Sequence, residues 1–166
     1  IGIDGRWSAW NRVSLYTATG EDFSHWDTER WRRALGLLLE GMDNYNTVDG
    51  IVVSGNGPTV VPIGNDGLPV FEALLWLDRR EKKKPGVDSL FLPKIRWFYE
   101  EYPIVYENTD CFLSCQEYIA FILTGEKVTA IPSAEFSSYI WTNKAIREYG
   151  LDTDKFPPSV PITSSI

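Results

Sequence analysis

Apolar residues recur at three- and four-residue steps from Asp27 to Met42, where Trp31, Ala34, Leu35, Leu38, Leu39 and Met42 fall on one stripe. The spacing predicts a helix over Asp27–Met42 whose stripe packs on a sheet. Asp27 is a good N-cap and Glu29 an acid in the first turn, while Arg30, Arg32 and Arg33 form a solvated face. Leu90–Tyr99 reads as a second helix, with Pro93 in the first turn, where its missing N–H is tolerated. Ser114–Leu123 reads as a third. It opens on a capping box of Ser114 and Glu117, stops at Gly125 and packs through Tyr118–Leu123.

Strand patterning is concentrated between Gly50 and Arg80. Ile51, Val52 and Val53 make a short apolar run that ends at Ser54-Gly55-Asn56-Gly57-Pro58. Val60, Val61 and Ile63 resume it, and Asn65-Asp66-Gly67 supplies the residues of a tight turn. The return arm runs from Pro69 to Trp76 and ends in Asp78-Arg79-Arg80. Strands that end in small and polar residues are how α/β folds present ligand sites, because glycine lets a ligand approach the backbone. Ile1–Asp4 and Arg12–Tyr16 read as further strands, with a turn at Thr19-Gly20-Glu21. Glu81–Pro85 (EKKKP) is a charged, helix-breaking link, placed where a mobile loop is expected. The expectation is one mixed α/β domain. Its central sheet holds Ile1–Asp4, Arg12–Tyr16, Ile51–Val53 and the Val60–Trp76 hairpin.

Composition narrows the function classes. A chain of 166 residues is long enough to bury a real core. Seven Trp, eight Tyr and eight Phe serve that core first, although such rings also line sugar pockets. A net charge of −7 argues against nucleic acid or an anionic membrane as the main partner. Cys111 and Cys115 are too few for a disulfide framework, and one histidine, His25, supplies neither further metal ligands nor a Ser-His-Asp arrangement. No apolar run reaches membrane-spanning length and IGIDG has no signal-peptide character, so a cytoplasmic protein is expected.

Candidate chemistry gathers at the end of the hairpin. Asn56 offers a donor and an acceptor suited to vicinal hydroxyls, and Gly57 lets a ligand sit against backbone. Trp76 offers a flat apolar face. Asp78 and Arg79 either bind hydroxyls directly or pair with each other to shape the floor. A neutral polyhydroxylated ligand suits this set better than a phosphorylated one. No glycine-rich phosphate loop is present, and GNGPT does not match one.

SGNGPTVVPIGNDGLP…LLWLDRR resembles the sugar-pocket hairpin of the FGGY carbohydrate kinases. HWDTERW, the Pro93-Lys94…Trp97 helix, CQEYIAFILTGE and the Ala134–Trp141 segment resemble other family segments in the same order, as does the proline-rich Phe156–Pro161 stretch. The resemblance implies an actin-like, ribonuclease H-like fold and ATP-dependent phosphorylation of a small sugar or polyol. It places a substrate-packing Trp at Trp76, on the same arm as the substrate-binding candidates Asn56, Gly57, Asp78 and Arg79, and assigns magnesium to Asp4 and a nucleotide-facing hydroxyl to Ser8. Residues 1–166 then correspond to the amino-terminal, sugar-binding domain. The catalytic aspartate and ATP-holding second domain of the family are not among them. ATP and Mg2+ are the implied cofactors of the intact enzyme, and a homodimer is one implied state. The Gly5–Asn11 loop lacks the family's Gly-Thr pair and carries the bulky Trp7, so tight MgATP binding by these residues alone is not expected. The same loop keeps open a second reading, a sugar- or partner-binding relative that transfers no phosphate.

Overall fold

The structure is a computed structural model that describes residues 10–15, 25–42 and 48–166. The chain divides into two compact units. The first draws on Ile1–Glu21 and Glu29–Val52, the second on Asp22–Thr28 and Val53–Ile166.

In the first unit, helix α1 spans Glu29–Glu40, with Trp31 and Ala34 buried. The helix predicted from the apolar stripe is present but shorter at both ends. Leu35, Leu38 and Leu39 are only half-buried and Met42 lies beyond the helix, exposed. Of the expected strand Arg12–Tyr16, the described residues Arg12–Leu15 form no ladder, and Tyr16 lies outside the described residues. The expected strand Ile51–Val53 is also absent. Val52 is 99% exposed, and the apolar run has no partner strand among the described residues. It is flanked by Gly50 and Gly55, which lose the most entropy on ordering, and Pro58 has no N–H to give a ladder. The expected strand Ile1–Asp4, the Thr19–Glu21 turn, Asp4, Trp7 and Ser8 lie outside the described residues.

The second unit is mixed α/β. Its order is β1 (His25–Trp26), β2 (Val61–Ile63), β3 (Ala73–Leu74), α2 (Leu92–Glu101), α3 (Pro103–Asn108), β4 (Cys111–Leu113), α4 (Cys115–Thr124), β5 (Thr129–Ile131), α5 (Asn143–Glu148) and β6 (Ser159–Pro161). The described strands make three two-stranded sheets in place of the single central sheet expected. β1 pairs antiparallel with β3, β2 antiparallel with β4, and β5 parallel with β6. The hairpin survives as bridges Val60↔Leu74 and Ile63↔Pro69 around the Asn65–Gly67 turn, where Gly67 takes φ +78°. Its two arms then part, because β2 finds Cys111–Leu113 and β3 finds His25–Trp26.

The core between these elements is aromatic. Phe98, fully buried on α2, meets Phe71 at 5.5 Å edge-on, Trp97 at 5.2 Å and Phe112 at 6.0 Å between ring centroids. Helix α4 closes as its sequence dictates. Ser114 accepts from the Glu117 N–H at 3.4 Å, the Glu117 carboxylate accepts from the Ser114 N–H at 2.7 Å, and Gly125 ends the helix at φ +78°. The EKKKP link is irregular but tied down, correcting the mobile loop expected there. The Lys82 N–H donates to the Pro93 carbonyl at 2.9 Å, the Lys84 N–H to the Tyr149 hydroxyl at 3.0 Å, and the Lys84 ammonium to the Glu148 carbonyl. No helix of the described residues is long and apolar enough to cross a membrane.

Candidate sugar-facing site

The segment Ser54–Pro58 leaves the hairpin and lies on the first turn of α4. A Cβ placed on Gly55 would stand 2.8 Å from the Gln116 backbone nitrogen, so only glycine allows this approach. The Thr59 hydroxyl donates to the Asn56 carbonyl at 2.7 Å. This contact fixes the backbone of Asn56 and leaves the residue exposed.

Gly57 adopts φ +48° and meets Trp76. A Cβ on Gly57 would lie 3.0 Å from the Trp76 Cβ and 3.3 Å from its Cγ. Trp76 stands at the tip of the turn after β3 and is 51% exposed. The structure therefore brings two of the residues expected here, Gly57 and Trp76, into contact, with the exposed Asn56 next to Gly57 along the chain.

Asp78 is different. Its side chain is 0% exposed. The carboxylate accepts from Arg80 Nε at 3.1 and 3.0 Å, from a terminal guanidinium nitrogen of Arg80 at 2.5 Å, and from the Arg80 N–H at 2.7 Å. The expected pairing of Asp78 with Arg79 is thus corrected to Arg80. The backbone Asx-turn from Asp78 to the N–H two residues on brings Arg80 back over the carboxylate, whereas Arg79 points to solvent. Asp78 acts as the floor under the turn.

Two residues that sequence reasoning did not single out complete this floor. The buried ammonium of Lys94, 2% exposed, donates to the Asp78 carbonyl at 3.1 Å and lies 3.8 Å from Glu81. Burial pushes Lys94 below the usual lysine range, against the opposing pull of Glu81 and Asp78. The Arg80 guanidinium sits 4.7 Å over the Trp97 ring. A signal existed for Lys94: it falls three residues after Phe91 and four before Phe98, both buried, so it shares the inward face of α2.

Beneath the α4 end of the site lies Glu117, whose carboxyl burial raises to about 7, against the hydrogen bond from Ser114 that opposes the rise. Burial likewise raises the Cys115 thiol, and pushes Cys111 up to about 12. No group of three or more His, Cys, Asp or Glu that could hold a metal ion occurs among the described residues.

No family model matches the chain. Individual relatives do. The chain is 27% identical to the xylulose kinase of Bacillus subtilis over 167 residues, covering 83% of this chain and 34% of that protein. It is 33% identical to the glycerol kinase of Borreliella burgdorferi over 89 residues, 47% of this chain and 18% of that protein. The crystal structure of a xyloylose kinase from Brucella ovis superposes with a TM-score of 0.70 at 18% identity, covering 82% of this chain and 34% of that one. The structural likeness shows a fold shared with sugar kinases. Together with the sequence relatives, it makes the chain similar to one part of the FGGY carbohydrate kinases. The chain spans about a third of the length of the curated xylulose kinases it matches.

Proposed function

We propose that this chain forms the amino-terminal, sugar-facing part of an ATP-dependent carbohydrate kinase of actin-like, ribonuclease H-like fold, acting in the cytoplasm on a small ketose or polyol. The observation that carries the reading is a half-exposed Trp76 ring packed against the backbone of Gly57, beside the exposed Asn56. The ring covers sugar C–H groups and the amide meets adjacent hydroxyls, while the absent Gly57 side chain lets the Trp76 side chain pack against its backbone. Arg79, exposed on the same turn, is the cation available to an acceptor hydroxyl, while Asp78 supports the site from below. When bound, ATP and Mg2+ supply the phosphoryl group and neutralise its charge, with Asp4 and Ser8 the residues that the family resemblance assigns to them. What this chain's residues contribute is acceptor orientation and exclusion of water.

The test is saturation-transfer NMR on the full-length protein with D-xylulose, other pentuloses, pentoses and glycerol. Asn56→Ala and Trp76→Ala are run beside wild type, and ADP release is followed in parallel. Wild type is expected to bind one of these sugars and release ADP when it is added. Asn56→Ala should weaken binding by about 0.5–1.5 kcal/mol. Equal binding by all three proteins puts the pocket elsewhere. Sugar binding without ADP release favours the second reading, a binding relative, for which Trp7 in the Gly5–Asn11 loop is the motivating feature.

A further inference from the structure

The turn that presents Trp76 is clamped from beneath by charged groups. Its ends are Leu75 and Asp78, both buried, and it closes through the Asp78 N–H donating to the Leu75 carbonyl at 3.0 Å. Trp76 and Leu77 are its exposed tip. Past the tip, Arg80 holds the Asp78 carboxylate through its side chain and its N–H. From α2, Lys94 holds the Asp78 carbonyl at 3.1 Å, and Trp97, one helical step further on the same face, lies under the Arg80 guanidinium at 4.7 Å. One face of α2 thus grips the turn at two points.

A buried carboxylate and a buried ammonium are costly, and apolar residues of the same volume stabilise a fold at least as well. What the charges add is direction: each hydrogen bond accepts one geometry. The exposed consequence of that geometry is the place of the Trp76 ring, whose Cβ and Cγ would stand 3.0 and 3.3 Å from a Cβ on Gly57.

We infer that Lys94, Asp78 and Arg80 are positioning residues that hold the Trp76 ring against Gly57 and so set the affinity of the site without touching its ligand. This rests on the reading of Trp76 as a sugar platform. The experiment uses full-length protein labelled with 5-fluorotryptophan, with the Trp76 19F resonance assigned by Trp76→Phe. Lys94→Met keeps the side-chain volume and removes the donor, and Asp78→Asn keeps the shape and weakens the ion pair. In each variant the Trp76 resonance is expected to move and broaden, while cooperative unfolding is retained. Binding of D-xylulose or glycerol, whichever wild type binds, should weaken about tenfold. If Lys94→Met does not fold, Asp78→Asn carries the same readout. A Trp76 resonance at its wild-type shift in the folded variants overturns the inference. If wild type binds neither probe, the sugar reading fails, and the ligand-free 19F shift still decides the positioning.

Discussion

Gly57 and Trp76 are matched to each other: the glycine sits at φ +48°, and any β-carbon there would meet the base of the indole side chain at 3.0 Å. Both facts point the same way for Gly57→Ala. The left-handed conformation costs a non-glycine residue about 1–2 kcal/mol. The Trp76 Cβ, unlike a flexible side-chain tip, yields only if backbone moves. Urea denaturation should show a loss of at least about 1 kcal/mol, and the Trp76 fluorescence contribution should change with it. Stability equal to wild type would mean that the turn is looser than drawn.

Phe98 and Leu38 separate the buried core from a half-buried helix face. Phe98 is fully buried among Phe71, Trp97 and Phe112, so Phe98→Ala should cost about 3–5 kcal/mol. Leu38 is only partly covered, and Leu38→Ala should cost less than about 2 kcal/mol. Chemical denaturation of the two variants gives the ranking directly, and a reversed order would misplace the core.

Glu117 makes stability depend on pH in a defined direction. Its carboxyl is raised from 4.5 to about 7 in the folded state, chiefly by burial. A folded-state value above the unfolded one means the contribution is complete below about pH 4.5 and is lost as pH rises through about 7. The change is on the order of 3 kcal/mol. Glu117→Gln keeps an acceptor for the Ser114 N–H and should flatten the stability curve across that window. Parallel slopes for wild type and variant would remove Glu117 as the cause.

The capping box makes a second, independent claim on the same helix. Ser114→Ala should cost about 1 kcal/mol. Because Ser114 and Glu117 satisfy each other's backbone groups, the double variant should fall short of the sum of the singles. Additive losses in a double-mutant cycle would show that the two caps act separately.

Cys111 and Cys115 should be inert in the folded protein. Burial raises both thiols, Cys111 to about 12, so little thiolate exists at pH 8. Alkylation by iodoacetamide, followed by mass, should be at least about a hundredfold slower in native protein than in urea. Fast native labelling of Cys111 would contradict its burial, and of the half-buried Cys115 its raised thiol.

Local chemistry made several elements legible in the sequence. The start of α4 at Ser114, its capping box and its stop at Gly125 depend on neighbours within a few residues, and all are present. The same holds for the Asn65–Gly67 turn and for Pro93 in the first turn of α2. Of the proposed site, Asn56, Gly57 and Trp76 could be named from the sequence, because glycine, amide and ring each declare their chemistry by type, and the structure adds the contact between Gly57 and Trp76. Tertiary structure alone decided the rest. Ile51–Val53 carries strand-like residues, yet apolarity does not reveal whether a partner strand exists, and Val52 stands in solvent. β2 was read correctly as a strand, but its partner, Cys111–Leu113, lies far along the chain, beyond any local pattern. Arg79 and Arg80 are equivalent in composition, and only the path of the turn selects Arg80 for Asp78. Lys94 looks like a surface lysine until α2 is docked, when its ammonium becomes the buried donor to the Asp78 carbonyl. Charge is written in the sequence, but its partner is set by how the backbone folds around it.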